Sequence, residues 1–221
     1  MIDKKFIYAG PSWARMSFDT RQGDLSTCTS LLREWKLEDV AINVSQRADN
    51  FDDQLEKITR LNSDLPIVYV TCEPLQRFKE GPYSYIKKEI NIMDFRKSIH
   101  EENMHTLSQL PNRVAVIGAH ADFTDSYNVV IDRSWQNFLR KEINLPDMYN
   151  WGADVFHRYW TENGHELKDK SMIRKMNIQF ESWDRLIEAG LMCGTHSTRK
   201  GNELYADYTY DKIKEFINDN A

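Results

Sequence analysis

The sequence has few cysteines and no paired cysteine motif. Cys28, Cys72 and Cys193 are widely spaced, and no C-x-x-C pair occurs. A disulfide framework or a zinc ribbon needs paired or regularly spaced cysteines, so neither is predicted. Free thiols are expected at all three positions.

Long apolar runs and an excess of positive charge are also missing. No stretch approaches the roughly 18 apolar residues of a membrane helix, and the segment Met1–Gly10 lacks the apolar core and cleavage site of a signal peptide. The formal net charge of −5 argues against binding of nucleic acid by mainly electrostatic contacts, because such binding needs clustered cations. We expect a cytoplasmic protein without a membrane segment or a nucleic-acid partner.

Glycine-rich phosphate loops do not occur either. Neither G-x-G-x-x-G nor G-K-[ST] is present, so a nucleotide-binding or phosphate-transferring domain is the least favoured hypothesis. His120 and Asp122 suggest metal ligands, but two residues do not make a site. No cofactor and no metal are therefore expected.

Short β-rich runs alternate with helical segments through the first half of the chain. The pattern predicts an α/β fold with three αβα layers and a mainly parallel sheet, because helices then cover both sheet faces. The predicted strands are Lys5–Ala9, Val40–Val44, Pro66–Thr71 and Arg113–Gly118. The predicted helices are Leu25–Trp35 with Asp24 or Ser26 as its cap, one that starts after Asn50, Ile92–Leu110, and Asn202–Ile217.

One domain is predicted over residues 1–221, because a chain of 221 residues can bury a sizeable core by itself. The strand pattern fades after the fourth strand, and residues 135–191 are predicted to form a helical insertion or lid. Trp151, Trp160 and Trp183 lie in this region. Because aromatic side chains are usually buried, they are expected to belong to a core.

The residues that follow the strands are the first candidates for chemistry, because ligands of parallel sheets collect at the carboxyl ends of the strands. The four segments are Gly10-Pro-Ser-Trp13, Asn43-Val-Ser-Gln-Arg-Ala-Asp49, Thr71-Cys-Glu-Pro74 and Gly118-Ala-His-Ala-Asp122. Their polar content suits an active site. Similar residues also cap helices in any α/β protein, so a capping role remains open for Ser12.

The order and content of these segments, together with Cys193-Gly-Thr-His196 and the following Gly201, resemble the SGNH (GDSL-type) hydrolase family. That family has a serine block after strand one, a glycine block after strand two, G-x-N after strand three and D-x-x-H before the last helix. The resemblance implies the flavodoxin-like SGNH hydrolase fold. It covers both ends of the chain and leaves 135–191 poorly matched.

The resemblance implies a role for each matched residue. Ser12 is the expected nucleophile and His196 its base, because serine needs a base within hydrogen-bond reach. The backbone N–H groups of Ser12 and Ala48 are the expected oxyanion donors. Further oxyanion or pocket residues are expected among Asn43, Thr71 and Glu73.

Pro11 stands where the family usually has aspartate and Ala48 where it has glycine, and two further departures from the family pattern are more serious. Cys193 stands where the family has the aspartate that orients the histidine, and a thiol is a poor acceptor for an imidazole N–H. None of Thr71, Cys72 and Glu73 supplies the carboxamide expected after strand three. A Ser/His dyad, or a triad with another acid such as Asp122, Asp125 or Glu73, is the arrangement left open.

The predicted function is therefore hydrolysis of an ester, thioester or acetyl group by acyl transfer through Ser12 and His196. The segment Thr71-Cys-Glu-Pro-Leu75 resembles divergent phage and bacterial members of the family, which favours a small or carbohydrate-linked ester as substrate. The alternative is a protein of the same fold that has lost the chemistry and acts as a binding or assembly module. The sequence leaves the oligomeric state open.

Overall fold

The computed structural model describes residues 4–11, 14, 30–46, 51–71, 92–119, 131–147, 184–193 and 196–219, and for residues 92–99 and 193 the backbone only. Residues 184–188 within these ranges are helical. The remaining elements in chain order are β1 (Phe6–Ala9), α1 (Leu31–Glu34), β2 (Ala41–Asn43), α2 (Phe51–Arg60), β3 (Ile67–Thr71), α3 (Ile92–Ser108), β4 (Val114–Gly118), α4 (Trp135–Glu142), β5 (Met192–Cys193), β6 (His196–Ser197) and α5 (Arg199–Asn218).

Strands β1 to β4 form one parallel sheet in the order β2-β1-β3-β4. Each strand lies inside its predicted segment, so the prediction of a parallel sheet is confirmed. The chain moves outward from β1 to β2 and then, in the other direction, from β3 to β4. The ends of β1 and β3 therefore form the point where the winding reverses, which is where parallel sheets open a crevice for ligands.

Both faces of the sheet are buried under helices. Side chains alternate along each strand, so Phe6 and Tyr8 face one side while Ile7 and Ala9 face the other. The first side, here the α1/α4/α5 face, packs on Leu31, Leu139, Tyr205 and Ile213, among others. The second side, the α2/α3 face, packs on Phe51, Ile58, Met104 and Leu107. The three-layer αβα architecture is thereby confirmed.

Both ends of region 135–191 belong to the core. Trp135 stacks on Tyr205 with ring centroids 5.0 Å apart, and Leu139, Leu186 and Leu191 are buried on the α1/α4/α5 face. Residues 148–183, with all three tryptophans singled out above, lie outside the described residues. The single domain with an insertion or lid stays a prediction.

The predicted helix over Leu25–Trp35 is wrong as an unbroken element. Ser30 has extended backbone angles, φ −122° and ψ 161°, and its hydroxyl oxygen accepts a hydrogen bond from the Arg33 N–H at 3.3 Å. Ser30 is therefore the N-cap, and α1 begins at Leu31, because a capping serine takes a non-helical conformation. The residues proposed as caps, Asp24 and Ser26, and also Asn50, lie outside the described residues.

Candidate functional site

The turn after β1 is built around Gly10. Its φ of +138° is one that residues with a side chain rarely adopt, and a Cβ there would lie 2.4 Å from the Val70 carbonyl oxygen. Just beyond, the Pro11 carbonyl accepts a hydrogen bond from the Ala14 N–H at 3.0 Å, and the Tyr8 hydroxyl donates to the Ala14 carbonyl at 2.9 Å. Glycine is required here because the chain leaves β1 in tight contact with β3.

Gly10 is also held from the side of β2 and α2. Its N–H donates to the Gln54 Oε1 at 2.9 Å, and its carbonyl accepts from the Gln46 N–H at 3.2 Å. The predicted nucleophile Ser12 follows two residues later and lies outside the described residues. The backbone that leads to it is fixed by three different segments of the chain.

Asn43 ends β2 and is exposed. Its Oδ1 accepts hydrogen bonds from the Ser45 N–H at 3.0 Å and from the Ser45 hydroxyl at 2.6 Å. This is an Asx-type turn, in which the side chain replaces a backbone acceptor. The side-chain oxygen of Asn43 therefore shapes the turn after β2, while Ala48 lies outside the described residues.

Thr71 ends β3 and is fully buried. Alternation along the strand puts it after Ile67 and Tyr69 on the α2/α3 face, and its hydroxyl oxygen has no hydrogen-bond partner among the described residues. Such a group is uncommon in a protein interior, because a buried polar atom without a partner costs free energy. Glu73, two residues further on, lies outside the described residues.

The end of β4 leads into the start of α4. The Ala119 N–H donates to the Thr71 carbonyl at 3.0 Å, and the Ala119 carbonyl accepts from the Gln136 N–H at 2.9 Å. The N-terminus of α4, capped by Ser134, therefore lies at the carboxyl edge of the sheet. His120 and Asp122, next in sequence, are outside the described residues.

His196 lies in a small antiparallel hairpin that the sequence analysis did not predict. Strands β5 and β6 pair Cys193 with His196 and Met192 with Ser197. Two-residue strands are too short to show a periodic pattern, but Gly194-Thr195 between them has the composition of a tight hairpin loop. Cys193 and His196 are thus paired directly across a two-stranded ladder.

The hairpin is joined to the start of α5 through Thr198. Its hydroxyl oxygen accepts from the Gly201 N–H at 3.1 Å and its hydroxyl donates to the Gly190 carbonyl at 2.6 Å. A Cβ at Gly201 would lie 2.3 Å from the Ser197 Oγ and 2.5 Å from the Leu191 carbonyl oxygen. Gly201 is therefore needed for close packing of the helix on the hairpin.

The two ends of α5 show which edge of the sheet His196 occupies. Near its C-terminus, the Asn218 carbonyl accepts from Lys4 Nζ at 2.7 Å, and the Phe216 carbonyl accepts from Arg113 Nη2 at 2.7 Å. Lys4 and Arg113 precede β1 and β4, so this end lies at the amino edge of the sheet.

A helix of 20 residues is about 30 Å long, roughly twice the length of these strands. The start of α5, with the half-buried His196 just before it, therefore lies at the carboxyl edge.

Three titratable groups among the described residues have pKa values displaced from their usual range, and one is the Tyr8 hydroxyl, whose pKa is raised by burial. Hydrogen bonds from Lys212 and Tyr208 hold the pKa of Asp132 down at about 2. Burial lowers the pKa of His100 to about 4, so this histidine is uncharged at neutral pH. His100 lies one turn before Met104 on the buried side of α3, away from the hairpin that carries His196.

Gln54 is the residue of this edge that the sequence analysis missed. It is fully buried, and its spacing puts it between Phe51 and Ile58 on the apolar side of α2. A polar residue inside an apolar stripe is the sequence signal that was available, because such a side chain needs a specific partner when buried.

The described residues contain no group of three His, Cys, Asp or Glu side chains arranged to hold a metal ion. No helix in the described ranges combines the length and the apolar character needed to cross a membrane.

Fold and site together define an α/β protein with three layers and a parallel sheet whose winding reverses between β1 and β3. No known family model matches the chain, and no curated protein matches it. Among solved structures, the protein YxiM from Bacillus subtilis is similar with a TM-score of 0.44 and 12% identity, over 97% of this chain and 57% of that one. The chain thus spans little more than half of YxiM, and the architecture stated above rests on its own sheet and helices.

Proposed function

We propose that the chain is a serine hydrolase of the SGNH type that cleaves an ester by acyl transfer, with Ser12 as nucleophile and His196 as general base. One observation carries the proposal. The hairpin and the start of α5 bring His196 to the same edge of the sheet as the Gly10 turn that directly precedes Ser12. Residues at opposite ends of the sequence therefore share the edge at which parallel sheets bind ligands.

The chemistry follows from the properties of the two side chains. The Ser12 Oγ attacks the carbonyl carbon of the ester while its proton passes to the His196 ring, and the oxyanion accepts hydrogen bonds from the N–H groups of Ser12 and Ala48. The histidine then gives the proton to the leaving alkoxide, which departs as an alcohol. Water, deprotonated by the same histidine, then attacks the acyl-serine, and the histidine returns that proton to the Ser12 Oγ as the carboxylic acid is released. The small or carbohydrate-linked ester and the cytoplasmic location stay predictions from the sequence.

A binding or assembly protein of the same fold is the second candidate, and two observations favour it. Thr71 ends β3 with a hydroxyl, close to where the resemblance expects a carboxamide donor. Position 193, paired with His196 in the hairpin, carries a thiol instead of a carboxylate. Each change removes an assisting group, and loss of one oxyanion donor alone costs about two to three orders of magnitude in rate.

A fluorophosphonate probe and p-nitrophenyl acetate separate the two candidates. We expect the wild-type chain to be labelled on Ser12, as located by mass spectrometry of its peptides, and Ser12→Ala to remain unlabelled. His196→Gln should lower the labelling rate by about 100-fold or more, because the serine loses its base. Ser108→Ala is the matched control, because this serine lies at the exposed end of α3 near the opposite edge, and it should label as the wild type does.

Two results would contradict the proposal. Labelling that persists in Ser12→Ala excludes Ser12 as the nucleophile. A folded wild-type chain that neither takes up the probe nor hydrolyses p-nitrophenyl acetate supports the binding protein instead.

A further inference from the structure

Gln54 is a polar residue in an apolar place. It is fully buried on α2 between Phe51 and Ile58, and Phe51 packs edge-on against Tyr69 of β3 at 6.0 Å. Leucine or methionine would fill this position without the cost of burying a carboxamide. The presence of a buried carboxamide on an apolar helix face is accounted for if one of its hydrogen bonds fixes the position of another segment.

The segment it contacts is the turn after β1. The Gln54 Oε1 accepts the Gly10 N–H at 2.9 Å across 44 residues of sequence. Gly10 leaves β1 at a φ of +138°, and its N–H is bonded to this side chain on a neighbouring helix. The orientation of the amide is fixed as well, because only the carbonyl oxygen of glutamine can accept a hydrogen bond.

Pro11 gives the hydrogen bond from the Gly10 N–H to Gln54 a particular importance for the position of residue 12. Proline has no backbone N–H, so Gly10 is the last backbone donor before Ser12. The Gly10 carbonyl is held at the same time by the Gln46 N–H at 3.2 Å. The direction in which the chain enters the turn is therefore set by Gln54 and by the loop after β2.

We propose that Gln54 is a positioning residue of the hydrolase site: through the Gly10 N–H it fixes the turn that presents Ser12 to its base and to the substrate. This inference rests on the function proposed above. Reaction rates depend steeply on the placement of a nucleophile, and a displacement of about 1 Å can cost roughly 100-fold. Gln54 itself touches neither substrate nor Ser12 in this proposal.

The test compares variants at position 54 with a variant one turn further along α2. Gln54→Met conserves volume and removes the acceptor, whereas Gln54→Glu keeps an oxygen that accepts the Gly10 N–H whether or not it is protonated. Gln54→Asn retains the carboxamide on a shorter side chain. It is measured beside Gln54→Met and carries the test alone if Gln54→Met does not fold. Ile58→Ala is the matched control, because it removes buried apolar volume on the same helix face without touching Gly10.

The rate of fluorophosphonate labelling, kcat and KM for p-nitrophenyl acetate, and the midpoint of urea unfolding are measured for each chain. For Gln54→Met and Gln54→Asn we expect labelling and kcat to fall by about 10- to 100-fold with KM within about twofold, because the transition state alone loses its alignment. Gln54→Glu should recover most of this loss. Ile58→Ala should lower the unfolding midpoint and leave the labelling rate unchanged.

The outcomes are distinguishable. Wild-type labelling rates in Gln54→Met and Gln54→Asn overturn the inference and leave the proposed function intact. Equal losses in Gln54→Met and Gln54→Glu, or a matching loss in Ile58→Ala, also overturn it, because the effect then comes from stability or packing. A wild-type chain that is not labelled at all refutes the proposed function, and the inference falls with it.

Discussion

The turn before Ser12 and the packing of α5 on the hairpin with His196 each depend on a glycine, but the two glycines meet different structural requirements. Gly10 combines a φ of +138° with a contact that leaves no room for a Cβ. Gly201 is helical, and only the lack of space beside Ser197 and Leu191 excludes a side chain there. The first glycine satisfies both a conformational and a packing requirement, whereas the second satisfies packing alone.

The two regions also differ in what holds them. The turn depends on a side chain from α2 and on the loop after β2, both distant in sequence. The hairpin is stabilised locally, by hydrogen bonds of Thr198 to Gly190 and Gly201. The two halves of the candidate site are therefore held by different contacts, and the experiments below change groups in each half and elsewhere in the fold.

The largest effect is expected at Gly10. Gly10→Ala should lower the free energy of unfolding by about 3 kcal/mol or more, because a strained φ adds to an overlap with the Val70 carbonyl. Gly190→Ala is the control, since Gly190 has a φ of +71° with nothing within 4 Å of an added Cβ. It should cost only about 1–2 kcal/mol. Equal losses by urea denaturation would contradict the overlap as the cause.

The next effect concerns the pH dependence of stability, and it arises at His100. The folded pKa of His100, about 4, lies below the usual value of about 6.5, so the unfolded chain binds more protons between these two values. The stabilisation is complete above pH 6.5 and is lost as the pH falls towards 4, by about 3 kcal/mol in total.

This pH dependence is checked by urea unfolding at several pH values. We expect His100→Gln to flatten the dependence between pH 6.5 and 4. His105→Gln, at an exposed histidine on the same helix, should preserve it. An unchanged slope in His100→Gln would show that other groups cause the pH dependence.

A smaller loss is expected from Gly201→Ala. The overlap with the Leu191 carbonyl and Ser197 costs stability, and the better helix propensity of alanine offsets about 1 kcal/mol of it, so the net loss should be about 1–2 kcal/mol. Adding Ser197→Ala should recover only part of the lost stability, because the contact with the Leu191 backbone remains. Full recovery of stability in the double variant would show that the added Cβ overlaps only with the Ser197 hydroxyl.

The smallest effect is a gain. Cys193→Asp puts a carboxylate on the residue paired with His196, and it should raise kcat for p-nitrophenyl acetate about tenfold, or 1.4 kcal/mol, because an aspartate orients the ring and stabilises its charged form. Cys193→Ser, which supplies no carboxylate, is the control. Equal rates in both variants would show that this position does not assist the histidine.

The sheet could be predicted from the sequence, and the small elements could not. Strands such as Ile67–Thr71 are continuous apolar runs because both faces are covered, and α5 has a long periodic pattern. The hairpin strands β5 and β6 are two residues each, too short for any period. The start of α1 was misplaced because Leu31 and Trp35 fit the helical spacing while the backbone of Ser30 does not.

The candidate site was predictable in part. Sequence placed His196 before the last helix, and the hairpin and α5 bring it to the predicted edge. It did not identify Gln54, because its hydrogen bond to Gly10 is a tertiary contact over 44 residues, with no local signature beyond one polar residue in an apolar stripe. The roles of Ser12, Ala48, Thr71, Glu73, Asn43 and Cys193 stay predictions.

The contact between α1 and α5 has a consequence for the order of folding. The Trp35 Nε1 donates to the Ala206 carbonyl at 3.2 Å and to the Thr209 Oγ1 at 3.1 Å, which closes a loop of more than 170 residues. Such closures are entropically costly and slow a folding reaction. In the proposed hydrolase, Ser12 would come close to its base only after this step, so a partly folded chain would not react with the probe. The recovery of probe labelling during refolding would therefore report docking of the last helix.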